Sequence, residues 1–172
     1  AVSLGSLAYH EGAVYLNKAL ADEEWVQFAV IEALTKIRDE SSVNALAKAL
    51  DSSSDLVASM IVDALGEMGN IKVATLLLQR MDGSPTPLRN KIVKAVVDIL
   101  GSKSLGFLSE GDRKKLKTYL LQALEDEDKE IQDASMRGLT SLDGEEAVAA
   151  VLRLASAMDP ERDRDRMEKA VD

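Results

Sequence analysis

The strongest constraint on the fold is that the sequence repeats itself at a shift of 31 residues. Apolar residues superpose on apolar residues at this shift, and a second shift of 31 continues the match. The matched triplets are Val26, Val57 and Leu88; Ile31, Val62 and Val93; and Leu34, Leu65 and Val96. The next unit matches only at a shift of 43, which places 12 additional residues around 101–111. A unit of this length cannot bury its apolar residues alone, so neighbouring units must stack.

Each unit contains two helical blocks. Five residues of the first block follow the spacing of one helix face: Val26, Val30, Ala33, Leu34 and Ile37. Four residues of the second block do the same after the polar turn 38–42: Val43, Leu46, Ala47 and Leu50. No segment alternates between apolar and polar residues as a half-buried strand would. The sequence predicts an all-α stack of antiparallel helix pairs, with at least eight helices and no strands.

One column of the repeat holds only small residues: Ala33, Ala64, Ala95 and Gly138. A small side chain at the same place in each helix pair lets two backbones approach closely. We therefore expect a larger residue at Ala64 to overpack a helix–helix contact.

The predicted helix ends carry matching signals. Ser109-Glu110-Gly111-Asp112 has the form of a capping box, and the serine-rich segment 51–55 precedes another helix start. Thr86-Pro87 fits an N-cap followed by proline in the first turn. The segment 66–69, Gly-Glu-Met-Gly, follows a helical block and lacks the lysine of a phosphate-binding loop, so we interpret it as a helix end.

The unit of about thirty residues, with Ala64-Leu65-Gly66-Glu67-Met68-Gly69 closing its first helix, resembles HEAT-like repeats, and most closely the short type named after phycobilisome lyases. The resemblance implies a right-handed α-solenoid of about four to five repeats, whose second helices line a concave face. In this interpretation the chain is one domain, 1–172, divided into the partial repeat 1–22, the repeats 23–51, 54–82, 86–125 (with the insertion 101–111) and 128–158, and the partial repeat 160–172. Both ends fall inside a unit, which predicts a segment of a larger protein.

Composition excludes several classes of function. The net charge is −9, which argues against nucleic acid or an anionic membrane as the partner. The chain contains no cysteine, so disulfides and cysteine-ligated metals are excluded. No apolar run approaches the ~20 residues of a membrane span. We expect a cytoplasmic protein whose oligomeric state the sequence leaves open.

No motif predicts an enzyme. His10, the only histidine, precedes Glu11. The HEAT-like deoxyhypusine hydroxylases bind iron through several His-Glu pairs, but one pair cannot build such a site, and we expect these two residues to lie in a turn between helices. We predict no catalytic residue, metal site or cofactor, and interpret the chain as a non-enzymatic protein-interaction scaffold. The alternative, which rests on the resemblance alone, is an enzyme or enzyme subunit of the bilin-lyase type.

Charge is divided between the two kinds of helix. The five second-helix segments carry a net charge of +5, and the rest of the chain carries −14. Two columns of these segments contain no acidic residue, and we expect them to bind a protein or peptide partner along the concave face. Their polar members are Lys18, Asn44, Lys48, Thr75, Gln79, Thr118, Gln122 and Arg153.

Two apolar features have further interpretations. For Trp25 and Phe28, at the start of one first helix, packing against the neighbouring unit is favoured over binding a partner. The insertion contains Leu105, Phe107 and Leu108. These residues either cover the insertion or form a functional loop, and the sequence favours neither.

Overall fold

The computed structural model describes residues 2–20, 23–142, 149 and 152, and all its regular structure in this part of the chain is helical. Eight α-helices follow one another: α1 (Val2–Ala19), α2 (Glu24–Ile37), α3 (Glu40–Ala49), α4 (Asp55–Met68), α5 (Ile71–Arg80), α6 (Thr86–Leu105), α7 (Glu110–Ala123) and α8 (Lys129–Leu142). A short 3-10 helix, Met81–Gly83, follows α5. The described residues contain no strand, so the prediction of an all-α fold with at least eight helices is confirmed.

The helices alternate as the repeat requires. Helices α2 and α3 lie in the segment 23–51, α4 and α5 in 54–82, and α6 and α7 in 86–125. Helix α8 is the first helix of the following unit, whose second-helix segment, 145–158, lies almost entirely outside the described residues. The chain divides into two compact units, Ala1–Leu76 and Leu77–Asp172.

The first compact unit has an aliphatic core between α1, α2, α3 and α4. Helix α2 packs on α1 and α4, and α3 packs on the same two helices. Leu34, Leu46, Ile61 and Leu65 are completely buried. Each fully buried side chain of this size stabilises the fold by ~1.5–3 kcal/mol, so the helix pairs are held by their repeated apolar columns.

The second compact unit has its core between α6, α7 and α8, each of which packs on the other two. Ile92, Leu116, Leu120 and Leu139 are completely buried. Gly138 lies where α8 approaches this core most closely, because a Cβ atom there would come within 3 Å of side chains on α6 and α7. The last member of the small-residue column therefore permits a contact that alanine would crowd.

Most of the predicted helix ends are correct. Ser109 Oγ accepts a hydrogen bond of 3.1 Å from the backbone N–H of Asp112, and Ser54 caps α4 in the same way. Gly69 ends α4 with φ +70°, a left-handed conformation that glycine adopts at little cost. Thr86 is not a cap, because α6 begins at Thr86 itself and Pro85 occupies the capping position without a side-chain hydrogen bond.

The predicted turn at His10-Glu11 is wrong. Both residues lie in the interior of α1, which is continuous from Val2 to Ala19. The segment has no proline, and each of its two interior glycines, Gly5 and Gly12, weakens a helix by only ~1 kcal/mol, which packing of α1 against α2 and α3 can offset.

The insertion breaks α6. Gly101 has φ +63° and ψ 172°, a backbone conformation essentially restricted to glycine, so the helical hydrogen bonding is interrupted there. One further turn follows and ends at Leu105, which is completely buried. Phe107 lies two residues later with 90% of its surface exposed. Leu105 therefore covers the insertion, as one of the two interpretations expects, whereas Phe107 does not.

Candidate partner-binding face

In the first compact unit the four predicted residues of the second helices are all exposed. They are Lys18 on α1, Asn44 and Lys48 on α3, and Thr75 on α5. Their exposure follows from helix geometry: Val43, Leu46 and Ala47 are buried, so the intervening positions one turn apart point outward. The structure thus places these side chains on the outer surface of their helices.

A hollow between α3 and α5 contains one of these residues. Asn44 lines it beside Val43, Ala47, Val73 and Leu76, which form its apolar part. Its cavity volume is about 70 Å³, far below the ~300 Å³ at which ligand pockets begin. The hollow can therefore receive the end of one aliphatic side chain, with the Asn44 amide available for hydrogen bonding at its edge.

An ion pair closes one end of this hollow. Lys72 Nζ lies 3.2 Å from Glu40 Oε1, and both side chains are more than 70% exposed. Glu40 is acidic but stands in the first turn of α3, where the helix dipole favours a carboxylate. Lys72 compensates the negative charge of Glu40. The acid-free columns of the second helices therefore keep a neutral or positive charge.

The sequence analysis missed the exposed apolar side chains of this face. Tyr15 is 74% exposed and Ile71 is 63% exposed. Val14 and Leu76 are also exposed. Lys18 Nζ lies 5.9 Å from the centroid of the Tyr15 ring, within cation–π range. The exposure of Leu76 could have been predicted from the run 76–78, because a helix that buries Leu77 and Leu78 turns Leu76 outward.

In the second compact unit three predicted residues are also exposed: Gln79 on α5, and Thr118 and Gln122 on α7. Thr118 Oγ1 donates a 3.0 Å hydrogen bond to the Lys114 carbonyl of its own helix. Gln122 Oε1 accepts a 3.3 Å hydrogen bond from Arg89. Arg153 lies outside the described residues.

A cluster of charged groups surrounds Tyr119 in this unit. Asp82 accepts a hydrogen bond of 2.8 Å from the Tyr119 hydroxyl and lies 2.5 Å from Lys115 Nζ. Arg89 stacks on the Tyr119 ring at 4.8 Å. The hydrogen bond from Lys115, and then that from Tyr119, lowers the pKa of the Asp82 carboxyl, while the bond to Asp82 raises the pKa of Tyr119.

The first helices carry ion pairs of their own. On α2, Lys36 Nζ lies 2.6 Å from Glu32, and this contact lowers the pKa of the Glu32 carboxyl. In the second unit Asp98 of α6 lies 3.0 Å from Lys94 and 2.8 Å from Arg137 of α8. Acidic residues exposed on the first helices thus form ion pairs with basic residues of the same helix or of another first helix.

Trp25 does not pack as predicted. It is 69% exposed, and its indole N–H donates a 2.8 Å hydrogen bond to Glu23. Leu56, which occupies the same repeat position on α4, is 59% exposed. Both residues stand in the first turn of a first helix, where the neighbouring helices do not cover them.

No group of three or more histidine, cysteine, aspartate or glutamate side chains in the described part of the chain could hold a metal ion. None of its helices combines the length and the apolar character required to cross a membrane.

The packed helix pairs define an α-solenoid. Residues 13–97 match the family model for HEAT repeats, which reaches from α1 into α6 and ends before the insertion. The chain is therefore a HEAT-like repeat protein. A comparison with curated proteins finds no match for the chain.

Proposed function

We propose that the chain is a non-enzymatic protein-interaction module that binds a protein or peptide segment on the exposed face of its second helices. In the solenoid this face would be the concave one. HEAT repeats commonly serve as interaction scaffolds, which supports the general function. The bilin-lyase alternative draws on the repeat resemblance only, and no observation on the described residues favours it.

The observation that carries the proposal is the hollow between α3 and α5. It combines an apolar floor with the exposed Asn44 amide, and it is too small for anything but a side chain. A small apolar pocket beside a hydrogen-bonding group is what an extended peptide needs, because its side chains supply apolar contacts and its backbone supplies donors and acceptors.

The chemistry of the partner follows from the surrounding residues. Lys18 and Lys48 are exposed on adjacent helices of the first unit, together with the apolar Tyr15 and Leu76. We infer a partner segment that presents aliphatic or aromatic residues together with acidic ones. The negative total charge of the chain opposes nucleic acid as that partner.

The test is a quantitative pull-down from a lysate of the source organism with the chain as bait. Variants Asn44→Ala and Leu76→Ala remove the amide and one wall of the hollow, and we expect both to reduce recovery of the same captured protein. Glu32→Lys changes an exposed residue of a first helix and serves as the control. Loss of the partner with Glu32→Lys, together with its retention in both hollow variants, would show that the binding face is assigned to the wrong helices.

A further inference from the structure

The insertion presents an aromatic side chain to solvent. Phe107 is 90% exposed, whereas Leu105, two residues earlier, is completely buried. The backbone N–H of Phe107 donates a 3.1 Å hydrogen bond to the Ser104 carbonyl. On the other side Arg113 donates a 2.6 Å hydrogen bond to the Gly106 carbonyl. These bonds fix the backbone of the turn, so little backbone entropy would be lost when the ring binds.

The first compact unit contains a depression of matching size. It lies between the first helices α2 and α4, and Ile31, Met60 and Ala64 form its apolar part. Its cavity volume is about 260 Å³, larger than the ~150 Å³ cavity that accommodates benzene in a protein core. We call it the α2–α4 hollow, and its size suits a phenyl ring.

Two residues that line the hollow, Thr35 and Ala64, have different counterparts in the second unit. In the second unit the corresponding positions hold Val97 and Gly138, and Val97 lies so close that a Cβ on Gly138 would be 2.9 Å from it. There Asp98 and Arg137 also bridge α6 and α8 at 2.8 Å. In the first unit the residue matching Asp98 is Lys36, which bonds to Glu32 of its own helix.

The charges of the two features are complementary. Three carboxylates and one ammonium group line the hollow: Glu32, Asp63, Glu67 and Lys36. The segment 103–117 around Phe107 contains five lysine or arginine residues and two acidic ones, and the pairing of Lys115 with Asp82 still leaves this segment a positive net charge. Opposite charges around an apolar contact steer its formation and set its orientation.

We propose that the chain associates with itself, with Phe107 of one copy seated in the α2–α4 hollow of a second copy. The contact joins two different surfaces, so it can be made twice in a closed two-fold dimer or repeated from copy to copy in an open chain. It uses the first helices and the insertion, and is independent of the partner-binding face. An anchor of one aromatic residue predicts weak, concentration-dependent association.

Sedimentation equilibrium at rising protein concentration tests the proposal. The wild-type chain should form dimers, or larger species if the contact does not close on itself, and should associate more strongly at low salt. Phe107→Ala removes the ring and should weaken association by at least about thirtyfold. Ala64 lines the hollow, so the added side-chain atoms of Ala64→Leu extend into this space, not into the crowded helix–helix contact expected from the sequence, and the variant should weaken association in the same way. Trp25→Ala removes another exposed aromatic residue and is the matched control, which should associate as the wild type does.

A mixing experiment tests the pairing itself. Phe107→Ala retains the hollow, and Ala64→Leu retains the ring, so each variant alone should be monomeric while an equimolar mixture forms heterodimers and nothing larger. Glu67→Lys changes an exposed rim residue without filling the hollow, and should weaken association most at low salt. Circular dichroism melts establish that each variant is folded.

Several results would overturn the proposal. Wild-type protein that stays monomeric at every concentration would do so, as would undiminished association of Phe107→Ala. Association that a folded Ala64→Leu or Glu67→Lys variant leaves intact would show that the hollow is not the receptor. A mixture of the two folded variants that fails to form heterodimers would show that ring and hollow do not contact each other.

Discussion

Gly138 of α8 lies directly against Leu120 of α7: a Cβ atom on Gly138 would be 2.8 Å from Leu120 Cδ2. Leu120 is completely buried and cannot swing into solvent. Val97 of α6 stands on the other side, and its β-branched side chain has little rotamer freedom in a helix. The closest approach of three helices in the second compact unit therefore depends on the absence of one methyl group.

The first prediction is that Gly138→Ala destabilises the protein although alanine is the better helix former. Overpacking typically costs ~1–3 kcal/mol, and the gain in helix propensity is only ~0.5–1 kcal/mol. The free energy of unfolding, measured by urea denaturation, should therefore fall.

Gly111→Ala is the matched control, because this helical glycine has nothing within 4 Å of its Cβ position. It should keep or raise the stability. If both variants behave alike, the close contact at Gly138 has no energetic consequence and the packing argument fails.

The repeat made the fold predictable from the sequence. Apolar columns such as Leu34 and Leu65 determine which residues are buried, and both are completely buried. Helix starts at Ser54 and Ser109 were predictable because capping depends on residues three positions apart. The break at His10 was wrongly predicted because α1 gains its continuity from packing on α2 and α3, which no local signal reports.

The candidate site was predictable only in part. Exposure of Asn44 and Lys48 follows from helix periodicity, so the sequence placed them on the exposed side of α3. The contact of Tyr119 with Asp82 joins residues 37 positions apart and depends on the geometry of the chain between them. The α2–α4 hollow was equally inaccessible, because an empty volume depends on the packing of several side chains.

The second prediction concerns the helix break. Gly101 has a backbone conformation that other residues adopt only at a cost of ~1–3 kcal/mol, so Gly101→Ala should lower stability by about that amount. Gly83→Ala is the control, because that glycine has no positive φ and nothing within 4 Å of its Cβ position. Thermal melts of both variants provide the measurement. A melting temperature unchanged by Gly101→Ala would mean that the chain forms the connector without a special backbone conformation.

The third prediction concerns the kinetics of partner binding. Lys48 is exposed, so Lys48→Glu should alter stability by no more than about 0.5 kcal/mol. Its charge should act over about one Debye length, slowing association with an acidic partner chiefly at low salt. Stopped-flow or surface plasmon resonance rates with the captured partner give the measurement. Lys36→Glu reverses the same charge on a first helix and should leave the association rate unchanged. Equal slowing by both reversals would contradict a role for the second helices.

The last prediction concerns the pH dependence of stability at Asp82. The hydrogen bonds from Lys115 and Tyr119 hold the pKa of its carboxyl below the unfolded value, which is ~3.9 for aspartate. Because the folded-state pKa is the lower one, the stabilisation is fully present above about pH 4 and is lost as the pH falls through the folded-state pKa. Asp82→Asn removes the titrating group, so wild type should be more stable than this variant at neutral pH, and the difference should shrink in acid. Tyr119→Phe removes one of the two donors and retains Lys115, so it should move the carboxyl pKa partway back, which an NMR titration of Asp82 can follow. A difference between wild type and Asp82→Asn that stays constant through the acid range would show that the three-residue contact does not persist in solution.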